Sequence, residues 1–152
     1  MKKNLFYYLF AVICSVALFT SCSDDDAVKG LTIDNVVGTF TGDLSVLQQP
    51  IPNTSITVNK VDANTVKVAL KDFKFGELVI GDITANCKAT LDKECDDFDL
   101  NGQTTLTVAA LGNVELPIVI EGEVDAKELD IDINITNVPL LNTLKVEFEG
   151  TK

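Results

Sequence analysis

Residues 97–102, which read Asp-Phe-Asp-Leu-Asn-Gly, have the residue types and spacing of a calcium-binding loop. Oxygen ligands at alternate positions and a glycine at the sixth form the first half of the pattern that wraps Ca²⁺. The twelfth position holds Val108 rather than a bidentate glutamate. An Asn-Gly pair between alternating apolar residues is also a hairpin signal. The pattern predicts Asp97, Asp99 and Asn101 as candidate calcium ligands, with a solvent-exposed hairpin as the alternative.

The side chains that most often perform acid–base chemistry are scarce. The 152 residues include no His, and every basic residue is Lys, so the commonest general base and the bidentate guanidinium are both missing. Three pairs of acidic residues at alternate positions remain: Glu121 with Glu123, Asp130 with Asp132, and Glu147 with Glu149. Paired carboxylates hydrolyse glycosides only when a cleft raises the pKa of one of them. Apolar alternation places these pairs on a solvated outer face, so the sequence predicts no catalytic residue and no enzyme.

Two cysteines are candidates for a disulfide. Cys87 and Cys95 remain in the chain once the N-terminal segment is set aside. An oxidising compartment favours their pairing, which would stabilise the fold by about 2.5 kcal/mol in the chain-entropy estimate. Their spacing differs from C-x-x-C, and no His is present as a co-ligand, so a redox or metal role is the weaker alternative.

The N-terminus has the pattern of an export signal that ends at a lipid-accepting thiol. Lys2 and Lys3 precede an apolar run of about 15 residues, which is too short to span a bilayer as a helix. The run ends in Leu-Phe-Thr-Ser-Cys at residues 18–22, which resembles the lipobox of bacterial lipoproteins. We therefore predict a signal peptide over 1–21 and acylation of Cys22, with ordinary secretory cleavage as the alternative.

A serine and three aspartates follow Cys22 directly, at residues 23–26. This run resembles the export signal of surface-displayed lipoproteins in one group of Gram-negative bacteria. A self-repelling, extended tether over 22–35 is the simpler interpretation, and both can hold together. The sequence thus predicts a lipid anchor in the outer membrane, at the cell surface or else facing the periplasm. The formal net charge of −11 argues against nucleic acid as a partner.

From residue 36 onward the apolar residues recur with period two, which indicates β-strands with one buried and one solvated face. Leu129, Ile131, Ile133 and Ile135 alternate with polar residues, for example. Turn signals divide the region into about eight strands, with residues 143–150 as a ninth. The predicted strands are 36–47, 54–61, 64–73, 77–87, 95–100, 104–110, 116–125, 127–137 and 143–150. Such a meander closes into an antiparallel up-and-down β-barrel, with a β-sandwich as the alternative.

Several short segments within 36–152 resemble one family. They are Val-Gly-Thr-Phe-Thr-Gly at 37–42, the hairpin of 56–60 and 66–73, Gly-Asp-Ile at 81–83, and Val-Glu-Phe-Glu-Gly at 146–150. Together they resemble the calycin-like (lipocalin-like) β-barrel lipoproteins of Gram-negative bacteria. The resemblance implies a barrel of about eight strands whose interior can take a small apolar ligand. Its motifs are structural and supply no ligand-contacting residue.

Three functional hypotheses follow from these patterns. The leading one is a non-enzymatic, outer-membrane-anchored barrel that serves as a binding or accessory module, whose partner is an unknown protein or a small apolar ligand. The second is a carrier of a lipid or other small apolar ligand, which requires an interior cavity of about 300 Å³ or more. The third, a hydrolase, requires a buried pair of carboxylates in a cleft. No cofactor other than calcium is predicted.

Overall fold

The computed structural model describes residues 30–94 and 96–152, which form a closed barrel of eight antiparallel strands. The predicted signal peptide, Cys22 and most of the predicted tether lie outside the described residues. The strands are β1 (Gly38–Val46), β2 (Gln49–Asp62), β3 (Thr65–Phe75), β4 (Leu78–Leu91), β5 (Phe98–Val108), β6 (Val114–Val124), β7 (Glu128–Val138) and β8 (Asn142–Thr151). Each strand pairs with the next, and β8 pairs with β1. The predicted fold class is therefore confirmed.

One prediction about strand boundaries is wrong. The separate strands predicted at 95–100 and 104–110 are a single strand, β5, and the Asn101-Gly102 pair lies inside it rather than in a hairpin turn. Gly102 pairs with Cys87 on β4 and with Ile120 on β6. A side chain at this position would place its Cβ 2.5 Å from the Cys87 Sγ atom. The glycine therefore permits a close approach between strands rather than a turn.

Apolar side chains of alternating residues fill the interior, as the period-two pattern predicts. Phe40 and Phe148 are the largest of them, and both are fully buried. The other leucine and isoleucine side chains with at most 1% of their surface exposed are Leu44, Ile56, Ile83, Leu116, Ile118, Ile120, Leu129, Ile131, Ile133, Ile135 and Leu144. No polar or charged side chain is buried within the part of the chain that the structure describes. Hydrophobic burial on this scale is the main stabilising contribution to the barrel.

A short helix, α1 (Ile33–Val36), closes one end of the barrel. It buries Ile33 and Val36 in the core, so the packed structure begins slightly before residue 36, where the sequence places the start of the domain. The Lys152 ammonium donates hydrogen bonds to the carbonyl oxygens of Asn35 and Val37 at 2.7 and 2.8 Å. It also lies 5.0 Å from the centre of the Phe40 ring. The C-terminus thereby holds the helix in place, and burial lowers the pKa of Lys152.

Fewer residues pair between β4 and β5 than between any other two neighbouring strands, although the β2–β3 and β1–β8 ladders have only six pairs each. The β4–β5 ladder has five pairs, from Leu91–Phe98 to Cys87–Gly102, whereas the β5–β6 ladder has eleven. Beyond the last pair, residues 78–86 of β4 and 103–108 of β5 continue as strands without pairing to each other. We call these facing stretches the β4–β5 seam. No helix among the described residues has the length and apolar character needed to cross a bilayer.

Candidate functional site

The outer side of the barrel carries a row of five carboxylates on five adjacent strands. Glu123 on β6 pairs with Asp99 on β5 and with Asp130 on β7. Glu149 on β8 then pairs with Asp130 and with Asp43 on β1. Like charges directly opposite one another on neighbouring strands destabilise a sheet. No lysine among the described residues lies within ion-pair distance of this row.

A second, parallel row is partly neutralised. Glu121, Asp132 and Glu147 lie opposite one another on β6, β7 and β8. The Lys145 ammonium lies 2.8 Å from a carboxylate oxygen of Glu147 and 3.1 Å from one of Asp132, and these contacts raise the pKa of Lys145. We call the eight carboxylates of both rows the acidic face. They are Asp43, Asp99, Glu121, Glu123, Asp130, Asp132, Glu147 and Glu149.

The acidic face is open to solvent, whereas the glycosidase alternative requires a carboxyl in apolar surroundings. Residues of β6, β7 and β8 line a shallow groove on this surface. The side chains of Glu121 and Glu123 are exposed, as the alternation predicts. A general acid of a glycosidase requires a carboxyl held in apolar surroundings. The arrangement suits the attraction of cations or of a basic surface rather than proton transfer.

The loop between β4 and β5 contains a second acidic cluster. Carboxylate oxygens of Asp92, Asp96 and Asp97 lie within 4.8 Å of one another, which is close enough to hold one cation. The Asp92 carboxylate also accepts hydrogen bonds from the backbone N–H groups of Glu94 and Asp96, at 3.0 and 3.3 Å. Burial raises the pKa of Asp97 to about 6, with further contributions from Asp92 and the nearby acidic residues.

The structure does not bring the three predicted calcium ligands together in one cluster. Asp97 lies with Asp92 and Asp96 in the loop, whereas Asp99 and Asn101 point outward from β5. The Asn101 side-chain amide donates a 3.1 Å hydrogen bond to Glu121. Asp92 lies outside the calcium-loop pattern, because it precedes residue 97 in the chain and is brought near Asp97 by the chain reversal. Calcium binding stays a prediction.

The predicted disulfide involves one residue that the structure describes. Cys87 is a free, fully buried cysteine among the described residues, and burial raises the pKa of its thiol to about 11. Cys95 lies outside the described residues. Cys87 is four residues from the end of β4, about 13 Å along the strand. A disulfide would therefore require the loop to fold back toward Cys87, and the pairing stays a prediction that alkylation under denaturing conditions followed by mass spectrometry would test.

The predicted lipidation site, Cys22, also lies outside the described residues. What the structure does describe is the end of the barrel that the predicted tether approaches. Residue 30 leads into α1, and α1 covers that end of the interior. A lipid attached at Cys22 would therefore be joined to the barrel at its α1 end.

Comparisons with known proteins agree with the fold. A family model described as a calycin-like beta-barrel domain matches residues 36–151. The crystal structure of a protein from Bacteroides fragilis, provisionally described as an outer membrane protein, is similar with a TM-score of 0.57. The two chains share 20% identity over 80% of this chain and 53% of the other, so this chain spans about half the length of that neighbour. A comparison with curated sequences gave no significant match. Because the family model covers most of its length, the chain belongs to the calycin-like β-barrel domain family.

Proposed function

We propose that this protein is a surface-displayed lipoprotein, anchored in the outer membrane through Cys22, whose barrel is a non-enzymatic binding or accessory module. It binds its partner with the outer surface of the barrel rather than inside it. The filled interior carries this proposal. Every polar or charged side chain in the described residues is at least partly accessible, so none provides a carboxylate enclosed in apolar surroundings for acid–base chemistry.

The packing of the interior favours outside binding over a carrier role. A ligand-sized cavity of about 300 Å³ would leave the side chains around it in contact with space large enough for water. Ile120, Ile131 and Ile133, which point into the barrel from β6 and β7, have 0% of their surface accessible. An internal ligand would therefore have to displace packed side chains, which costs several kcal/mol for each large residue moved out of a core of native density (about 2–5 kcal/mol).

The anchoring part of the proposal is supported by the sequence before residue 30 and by the position of α1. From Cys22 to the helix, ten residues at about 3.5 Å each allow the barrel to stand up to about 35 Å from the lipid. The structural neighbour from Bacteroides fragilis is provisionally assigned to the outer membrane, which is consistent with the same location here.

Anchoring and display are tested together in the protein's own host. Metabolic labelling with a radioactive or clickable palmitate should label the wild-type chain and not Cys22→Ala. Protease added to intact cells should degrade the wild-type barrel, and replacement of Asp24, Asp25 and Asp26 by alanine should protect it while leaving the label. An unlabelled wild-type chain would contradict the anchor. Labelled protein that resists protease until the cells are lysed would contradict surface display.

Native mass spectrometry tests where the barrel binds. The full chain purified from its host should have the mass of the acylated polypeptide, with no apolar molecule retained in the barrel. A co-purifying apolar mass that is released only when the barrel unfolds would contradict the proposal and establish the carrier function instead.

A further inference from the structure

Exposed apolar side chains are concentrated at the end of the barrel opposite α1, which we call the far end. The connections between strands at the far end are residues 47–48, 76–77, 109–113 and 139–141. Of the six exposed large apolar side chains in the described residues, five lie within three residues of these connections, and they are Leu47, Ile51, Val79, Leu140 and Leu141. The sixth, Val61, lies at the α1 end. Single exposed apolar residues are common, but a group of them at one place marks an interaction surface.

Two of these leucines have backbone conformations that disfavour leucine. Leu47 and Gln48 form the two-residue turn between β1 and β2 with φ values of 49° and 66°, and Leu140 has a φ of 71°. A two-residue turn with positive φ at both residues favours Asn-Gly, because a bulky side chain is strained in the left-handed region. Leu140 is also fully exposed, so packing within the barrel does not compensate for its strain. Residues held in such conformations are concentrated at functional sites.

The connections at the far end are nearly free of charge. They contain one charged residue, Glu77, whereas the three connections between strands at the α1 end contain seven. Those seven are Asp92, Lys93, Glu94, Asp96, Asp97, Asp125 and Lys127. In the adjoining strands, Lys74 and Glu115 are each the second residue from the far end. The far end therefore has little charge to remove from water when another surface covers it.

Charge determines which surface two copies of this chain can share. Each copy has a formal net charge of −11, and the acidic face of one copy repels the acidic face of another. Contact between two far ends instead brings two nearly uncharged surfaces together. Apolar side chains then meet apolar side chains, because the two surfaces are identical. Two-fold contacts of this kind are the commonest in soluble oligomers.

The position of the proposed lipid anchor leaves the far end free for this contact. The segment that leads from Cys22 joins the barrel at α1, on the opposite end. Strands of 11 residues, such as β3 and β7, give the barrel a height of about 28 Å when they are tilted by about 40°. A bilayer would meet the far end only if the connecting segment of up to about 35 Å ran along most of this height. A second copy requires no such extension.

We propose that the far end is the contact surface of a homodimer, in which two copies of the chain meet end to end through these apolar side chains. Leu47 and Leu140 of each copy are covered by the other copy, and this burial compensates for the strain of their left-handed conformations. Five apolar side chains are fewer than the roughly 20–30 residues of a standard interface, so the association is weak in dilute solution. Lipid anchors that concentrate the copies on a membrane make it significant. This proposal deepens the proposed function, on which it rests, because it identifies a second copy as a partner of the outer surface.

The test uses the acylated full chain reconstituted in phosphatidylcholine vesicles, because detergent would cover the exposed leucines. In a chain with Cys95→Ala, a dye is attached either at Thr143→Cys, beside the far end, or at Ala63→Cys, at the α1 end. Fluorescence energy transfer between copies that carry donor and acceptor dyes should be strong for Thr143→Cys. It should be at least about fivefold weaker for Ala63→Cys, because the two α1 ends of a pair lie roughly 55 Å apart. Equal transfer from the two positions would overturn the proposal.

A double variant, Leu47→Asn with Leu140→Asn, tests the two leucines themselves. Asparagine tolerates a positive φ better than leucine does, so the Tm of this variant should equal or exceed that of the wild type. Energy transfer from the dye at Thr143→Cys should nevertheless fall to the level measured at Ala63→Cys. A lower Tm with unchanged transfer would show that the leucines stabilise the barrel and do not join two copies, which would overturn the proposal.

Val79 and Val61 provide a matched comparison that does not depend on the turns. Both are strand valines with 48% of their surface exposed, and they lie at opposite ends of the barrel. Val79→Asn should weaken the transfer at Thr143→Cys at least about threefold, because it places an amide in the apolar contact. Val61→Asn should leave the transfer unchanged. Equal effects of the two substitutions would contradict an end-to-end pair.

Other occupants of the far end give distinguishable results. Quenching of the dye at Thr143→Cys by brominated lipids, without energy transfer, would place the far end in the bilayer and contradict the proposal. Absence of both transfer and quenching would contradict it as well, and would leave a different protein as the occupant. Neither result changes palmitate labelling or protease sensitivity, so failure here is separable from failure of the proposed function.

Discussion

The β7–β8 and β4–β5 ladders join strands of ten to fourteen residues, yet the first has ten pairs and the second five. Along β7–β8 the inward side chains are fully buried and half of the outward ones are acidic. Along the unpaired part of β4–β5, two inward side chains of β5 are partly accessible and the outward ones of β5 are neutral. One side of a closed barrel can thus be paired along most of its length and highly charged. Another side can have strand residues that lie beyond the last pair of their ladder.

Truncation of an inward side chain should give the largest difference in the free energy of unfolding between the two regions. Ile133→Ala removes a fully buried side chain from the β7–β8 wall and should lower the free energy of unfolding by about 2–5 kcal/mol. Leu106→Ala removes a partly accessible side chain at the seam and should cost about 1 kcal/mol. Urea denaturation of both variants measures the difference. Equal losses would mean that the seam is as tightly packed as the rest of the wall.

A side chain at the base of the seam should weaken the last pair of its ladder. In Gly102→Ala the new Cβ would lie 2.5 Å from the Cys87 sulfur and 2.7 Å from the Asn86 carbonyl oxygen. The backbone oxygen cannot move without disturbing β4, so we expect a loss of about 1–3 kcal/mol in the free energy of unfolding. Gly30→Ala, which meets no atom within 4 Å, is the matched control. If Gly102→Ala were as stable as this control, β4 and β5 would have to lie farther apart at Cys87 and Gly102 than in the structure.

The loop at the base of the seam should respond to pH. The pKa of Asp97 is raised to about 6 in the folded chain, above its ordinary value of 3.8. Folding therefore favours the protonated carboxyl, and this stabilisation is complete below pH 3.8 and lost as the pH rises through 6. Asp97→Asn should raise the free energy of unfolding by about 1 kcal/mol at pH 7.5, after solvent screening, and change little at pH 3.5.

The same variant tests calcium. If Asp97 is a ligand, millimolar Ca²⁺ should raise the Tm of the wild type at pH 7.5 and leave that of Asp97→Asn unchanged. An identical wild-type Tm in calcium and in chelator would end the calcium prediction.

The smallest effect is expected on the acidic face. Asp130 lies between Glu123 and Glu149, so Asp130→Asn should raise the Tm by about 2–4 °C at low ionic strength and by less in 1 M salt. Asp132→Asn removes a contact with Lys145 and should not raise the Tm. A similar rise in Tm in both variants would mean that the repulsion comes from the net charge of the protein rather than from the row of carboxylates across the strands.

The sequence was sufficient for the fold class and for the inward side of β7, because alternation at Leu129, Ile131 and Ile133 is a local property of the chain. It was misleading at Asn101-Gly102, where a local hairpin signal was overridden by the close approach of Cys87. The row through Glu123, Asp130 and Glu149 was beyond reach, since alternation gives the face of each residue but not its neighbour on the next strand. The short β4–β5 ladder could not be predicted either, because the number of pairs between two strands depends on how a barrel of eight strands closes.

Amide hydrogen exchange of the free protein, resolved by residue with NMR, tests the seam most directly. We expect fast exchange at Thr105 and Thr107, which lie beyond the last β4–β5 pair, slow exchange at Thr104 and Leu106, and slow exchange at the paired amides of β7 and β8. Uniformly slow exchange along residues 103–107 would show that β4 and β5 are joined along their whole length and would contradict the open seam.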